Sequence, residues 1–154
     1  SQVFQNYLQT NPTLPPDKVQ TLYATCYPEQ GEKAASAYRL MYYQERSDFK
    51  NYTVSAVDHF KRFPTENPDE LNEAAFLFVE NTTDKAMLEH ARTWAAKSVA
   101  LHENTYNQLT LAKILAKQGK KTEAIKAAKR SSELGKATGM DNAQAQLLLK
   151  QLGQ

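Results

Sequence analysis

Ala91-Arg92-Thr93-Trp94-Ala95-Ala96-Lys97-Ser98-Val99-Ala100-Leu101 is answered 33 residues further on by Ala124-Ile125-Lys126-Ala127-Ala128-Lys129-Arg130-Ser131-Ser132-Glu133-Leu134. Ala91, Ala95, Ser98 and Leu101 recur as Ala124, Ala128, Ser131 and Leu134, at i, i+4, i+7 and i+10 in each copy. That spacing keeps the four on one stripe of a helix. A self-similar helical period in the low thirties marks a solenoid, whose units bury their apolar faces against one another. The expected fold is all-α: a right-handed stack of antiparallel helical hairpins closed by a C-terminal capping helix. Proteins built this way hold other molecules and rarely do chemistry.

Working outward, the hairpin around the second copy spans about 105–136. Its first helix packs through Leu111, Ala112, Ile114 and Leu115 and ends at Gln118-Gly119, with Gly119 suited to the left-handed C-terminal position. Ala124, Ile125, Ala128 and Leu134 carry the return helix. Asp141 can then cap a last helix, 141–152, whose Leu147, Leu148 and Leu152 would cover the end of the stack. The hairpin before it, about 67–102, opens at Asn67-Pro68-Asp69-Glu70: a capping Asn, Pro at the first helical position, and Glu three residues after the cap. Leu71, Ala74, Ala75 and Phe78 follow. Asn81 to Asp84 turn the chain, and Met87, Leu88, Ala91, Trp94, Ala95 and Leu101 return.

A first hairpin, about 32–63, places Ala34, Ala37, Tyr38, Met41 and Glu45 on one helix. Tyr52, Ala56, Phe60 and Phe63 lie on the next, which Ser47-Asp48 can cap. These three hairpins and the cap make a repeat domain over 32–154. Residues 1–31 form an N-terminal segment with one short helix carrying Phe4, Tyr7 and Leu8. Breaks follow at Asn11-Pro12 and Pro15-Pro16, then a second helix from Asp17 to about Tyr27 with Val19, Leu22, Tyr23 and Cys26 as its apolar face. Pro28 to Gly31 stops it.

Composition narrows the function classes. The chain has 154 residues, 41% hydrophobic and 23% charged, and no run approaches the ~20 apolar residues of a membrane-spanning helix. No membrane insertion is expected. Its start, Ser1-Gln2-Val3-Phe4, has neither initiator Met nor a signal pattern, as in a processed chain or an excised domain. Net charge is +2, yet residues 105–154 hold nine Lys/Arg against three Asp/Glu. That basic third reads as a solvated helix face or as a dock for an acidic partner. Without interleaved aromatics or a groove-reading motif it does not point to nucleic acid.

No catalytic or metal site is legible, and no cofactor is expected. His59, His90 and His102 show no ligand spacing. Cys26, the only cysteine, reads as a small buried hydrophobe. Gly119-Lys120-Lys121-Thr122 lacks the leading glycine and the strand of a phosphate loop, because Ile114 and a helix stand there. The aromatics Tyr38, Tyr42, Tyr43, Tyr52 and Phe60 read as packing between helices.

The pattern Leu111-Ala112, Gly119, Ala124, Ala128 resembles the tetratricopeptide repeat, which uses small residues where its two helices approach and Gly in the turn. Ser131 stands where Ala is usual and Lys136 where Pro is usual. Ala75, Ala91, Ala95 and Ser98 repeat the match, with four extra residues between the helices. In that family the first helix of each hairpin lines the concave surface. The resemblance therefore implies partner-binding positions at Asn72, Phe76 and Glu80, and at Tyr106, Leu109, Lys113 and Lys117. The implied partner is a protein or peptide, with the asparagine suited to a peptide backbone and the lysines to an acidic ligand.

A second resemblance covers roughly 48–135. Asp48-Phe49, Leu71-Asn72-Glu73-Ala74-Ala75-Phe76, His90-Ala91 with Trp94-Ala95 and Ser98, and Gly119-Lys120-Lys121-Thr122-Glu123-Ala124 look like a helical region of certain bacterial envelope proteins. That region follows a thioredoxin domain. The likeness implies a structural or regulatory appendage whose redox CxxC lies upstream of this chain, in the bacterial periplasm or cell envelope.

Overall fold

The structure, a computed structural model, describes Thr10 and residues 14–154. The expected helix carrying Phe4, Tyr7 and Leu8, and the break at Asn11-Pro12, lie outside the described residues. Those residues form eight α-helices and no strand: α1 Pro16–Cys26, α2 Gly31–Glu45, α3 Phe49–Arg62, α4 Pro68–Asn81, α5 Lys85–Leu101, α6 Thr105–Lys117, α7 Lys121–Thr138 and α8 Ala143–Gln151. The chain divides into two compact units, Ser1–Pro64 and Thr65–Gln154. The first takes in the segment 1–31 and the hairpin expected over 32–63. The second takes in the other two expected hairpins and the last helix.

In the second unit each helix packs on the next in sequence, and α4 also packs on α6. The repeated small residues are the seam. Ala91, Ala95 and Ser98 of α5 and Ala124, Ala128 and Ser131 of α7 are all fully buried. The two serines do the same work. Ser98 donates to the carbonyl of Pro68 at 2.7 Å and Ser131 to that of Thr105 at 2.8 Å, each the first residue of the partnering helix. Those first-helix carbonyls are 37 residues apart and the serines 33, the four-residue excess expected in the turn. Both connections, 82–84 and 118–120, are three residues long. The excess is helical instead, extending the end of α4 and the start of α5. The last repeated position fails to bury: Leu101 is 39% exposed, because α5 ends there.

The helix ends follow local chemistry. Asn67 Oδ1 accepts from the N–H groups of Asp69 and Glu70. Glu70 does not reach back to Asn67 directly. Thr65 relays between them, donating its hydroxyl to Glu70 and accepting the Asn67 N–H. Asp48 and Asp84 cap α3 and α5. Gly119, at φ +74°, lets its own N–H reach Ala116 and that of Lys120 reach Leu115, which satisfies two end carbonyls of α6. Asp141 accepts the Ala143 N–H at 2.8 Å. On α8 the buried residues are Ala145 and Leu149, with Leu148 and Leu152 half-buried beside them. Leu147, expected to cover the end, is 56% exposed because two residues along a helix turn it to the far side from Leu149.

The first unit is sewn differently. Val19 and Tyr23 of α1 meet Ala35 and Tyr38 of α2. Gly31, read as a stop, is the buried first residue of α2. A β-carbon there would lie 2.5 Å from the Tyr23 carbonyl oxygen, so the close approach needs glycine. Cys26 is exposed, not buried: Gly31 meets α1 one turn earlier, at Tyr23, and the last turn runs past it. Ala37 and Met41 are exposed too, since α2 turns Ala35 and Tyr38 to α1 and Ser36 to α3. Tyr38 and Tyr52 are buried and Tyr42, Tyr43 and Phe60 half-buried; Tyr38, with Tyr42 beside it, packs between α1 and α2.

Candidate functional site

A cavity of about 430 Å³ lies in the second unit where α4 and α6 pack together. Asn72 and Phe76, one turn apart on α4, form one wall. Tyr106, Leu109 and Lys113 on α6 form another, with Thr105 and Thr110 beside them. Their helices present these faces because Leu71, Ala75 and Phe78 of α4 and Ala112 and Leu115 of α6 are buried. The third side was not foreseen. Ser131 comes from α7, and Asp141, Asn142, Gln144 and Ala145 from the turn before α8 and its first residues, so the packing of α7 and α8 brings these distant residues there.

Five of the seven positions implied by the tetratricopeptide resemblance therefore line one cavity: Asn72, Phe76, Tyr106, Leu109 and Lys113. Glu80 and Lys117 do not line it. Glu80 accepts from the Lys113 ammonium at 2.9 Å, and that ammonium stands 5.3 Å from the Phe76 ring centroid. Lys117 donates to the carbonyl oxygens of Val79 and, at 3.2 Å, of Thr82. It thereby tops the end of α4, where a cation is favoured by the helix dipole. Both lysines expected to attract an acidic ligand are engaged within the chain.

Two residues lining this cavity each carry a buried oxygen without a hydrogen-bond partner among the described residues: Asn72 Oδ1 and Thr105 Oγ1. Thr105 is 3% exposed, so bulk water does not reach it freely. Native proteins leave few such groups unpaired, so each calls for an explanation; a third, Gln118 Oε1, lies outside the cavity lining. The asparagine's partnerless oxygen is the chemistry that side chain was singled out for. The threonine gave no signal in sequence, since Thr at a helix start is unremarkable.

Asn107, buried on α6, also escaped the sequence reading. It completes a capping box with Asn104 and donates to Ser98 Oγ and to the His102 carbonyl, tying the two helix pairs together.

Elsewhere the chemistry is structural. His59 is 3% exposed, and its Nδ1 lies 2.8 Å from Ser36 Oγ, joining α3 to α2. The pair is 23 residues apart without a motif. His90 is exposed and stacks on Trp94. Arg92 and Gln118 both donate to Glu89, holding its carboxyl at about 2, well below the usual range. The Arg130 guanidinium, with help from Gln108, likewise lowers Glu103. No group of three or more His, Cys, Asp and Glu able to hold a metal occurs among the described residues, and none of their helices is long and apolar enough to cross a membrane. No protein-family model matches the chain, and neither the curated proteins nor the solved structures yield a match.

Proposed function

We propose that the second unit is a non-catalytic, tetratricopeptide-like binding module that holds a peptide or protein segment against α4 and α6. In this reading α4–α5 and α6–α7 are successive repeats, and α8 caps the stack. One observation carries it. Five of the seven residues singled out as groove-facing line a single cavity, and two of the residues that line it carry buried polar atoms without partners among the described residues. Its volume falls within the ~300–1,000 Å³ usual for ligand pockets, and its exposed Phe76 and Tyr106 supply rigid aromatic surface of the kind that dominates binding energy.

Selection of a displayed random-peptide library on the intact chain tests this. Peptides are expected to emerge whose binding falls at least tenfold in a Phe76→Ala, Tyr106→Ala double variant, with the helical spectrum unchanged. Both side chains are exposed, so their loss leaves the fold intact. Peptides indifferent to both substitutions would remove the cavity from the account.

A further inference from the structure

We infer that this cavity selects an uncharged segment, a backbone amide carrying an aromatic side chain, rather than an acidic ligand. The inference rests on the binding role proposed above and specifies its ligand. Charge is the first argument. Lys113 is the only cation lining the cavity among the described residues, and it is held by Glu80. An incoming carboxylate would have to compete with Glu80 for it. Asp141 adds a negative charge at the wall, with a backbone N–H as its partner and no cation among the described residues. An anion is therefore disfavoured. A cation would meet the Lys113 ammonium already standing near the Phe76 ring.

Hydrogen bonding is the second argument. Asn72 Oδ1 can only accept, and Thr105 Oγ1 can both donate and accept. A peptide amide offers one N–H and one carbonyl, so it can supply a partner to both an acceptor and a hydroxyl from residues lining one cavity without bringing charge. Phe76 is 41% and Tyr106 57% exposed, and Leu109 stands between Tyr106 and Lys113 on the same helix. These surfaces suit an aromatic ring, packed edge-to-face or offset, which adds roughly 0.5–1.5 kcal/mol beyond the area it buries.

Two small probes separate the possibilities: N-acetyl-phenylalaninamide, which is neutral, and N-acetyl-phenylalanine, which is anionic at pH 7. Each is titrated into the isotope-labelled intact chain at low and high salt and followed by NMR. The amide is expected to shift resonances of Phe76, Tyr106 and Asn72 equally at both salt concentrations, and the acid to bind several-fold more weakly. Thr105→Val should weaken amide binding about five- to tenfold, the worth of one hydrogen bond. Its melting temperature should not fall, because the hydroxyl has no partner to lose. A purely structural Thr105 would instead lower the melting temperature and leave the titration unchanged.

An acid that binds as well as the amide, and loses affinity with salt, overturns the selectivity while leaving a binding site in place. If neither compound shifts a cavity resonance, the inference is contradicted. The binding role itself falls only if the displayed library also yields no peptide dependent on Phe76 and Tyr106.

Discussion

The two units close their helices by different means. In the second, α5 and α7 present alanines and one serine at fixed spacing, and the serine ties each pair through the first carbonyl of the partnering helix. In the first, large aromatics do most of the filling, and the closest approach is made by one glycine and a buried Ser36–His59 bond. A seam of small residues is tight, periodic and intolerant of added volume. An aromatic seam is irregular and depends on a few special contacts. The second unit's regular seam also lets α4 and α6 stand together, which builds the cavity.

The sharpest way to break this contrast is to add volume to each unit. Ala124→Leu inserts three carbons at a fully buried position between α6 and α7. It should cost about 3 kcal/mol, the upper part of the overpacking range. Trp94, the only tryptophan and buried against Phe78, reports unfolding of the second unit through its fluorescence. The same change at exposed Ala37 should cost under about 0.5 kcal/mol. Equal melting temperatures for the two would mean that Ala124 does not sit in a tight seam.

Next in size is Gly31→Ala. Its β-carbon must displace backbone rather than a side chain, so a loss of about 1–2 kcal/mol is expected even after the gain in helix propensity. Amide hydrogen exchange in α1 and α2 should accelerate while α6 and α7 keep their protection. Uniform acceleration would mean the units do not unfold separately.

The serines sharpen the comparison inside the second unit. Ser131→Ala should cost about 1 kcal/mol for its lost bond to Thr105. Ser98→Ala should cost more, because Ser98 also accepts from buried Asn107. Chemical denaturation that ranks them the other way would refute the role given to Asn107.

The smallest effect is electrostatic. Glu89 titrates at about 2 in the folded chain, against 4.5 ordinarily. Its contribution is therefore complete above about pH 4.5 and fades as pH falls towards 2. Glu89 is exposed, so the difference in melting temperature between wild type and Glu89→Gln should be slight near neutrality and vanish in acid. A difference that grows on acidification would reverse the sign of the argument.

What could be read from sequence follows the same division. Asn67, Gly119 and the alanine stripe act through neighbours within a helix turn or at a fixed step, and their roles were legible. Ala37, Met41 and Cys26 were misplaced because the burial of α1 and α2 depends on where helices cross, which periodicity does not encode. The walls supplied by Asn72, Phe76, Tyr106, Leu109 and Lys113 came from the resemblance. Thr105, at the start of α6, carried no signal in sequence, and the Asp141–Ala145 wall needed the packing of α8, which brings in residues some seventy positions from Asn72. Charge counting was least informative: Lys113 and Lys117 look free in sequence and are engaged in the fold.

The claim that the α4–α6 cavity is where a partner sits can be tested by placing a photo-crosslinking phenylalanine analogue at Tyr106, with exposed Met41 of the first unit as the control position. A display-selected peptide should crosslink at 106, not at 41, and the unmodified amide probe should suppress the product in excess. Crosslinking that is equal at the two positions, or confined to 41, would contradict the account.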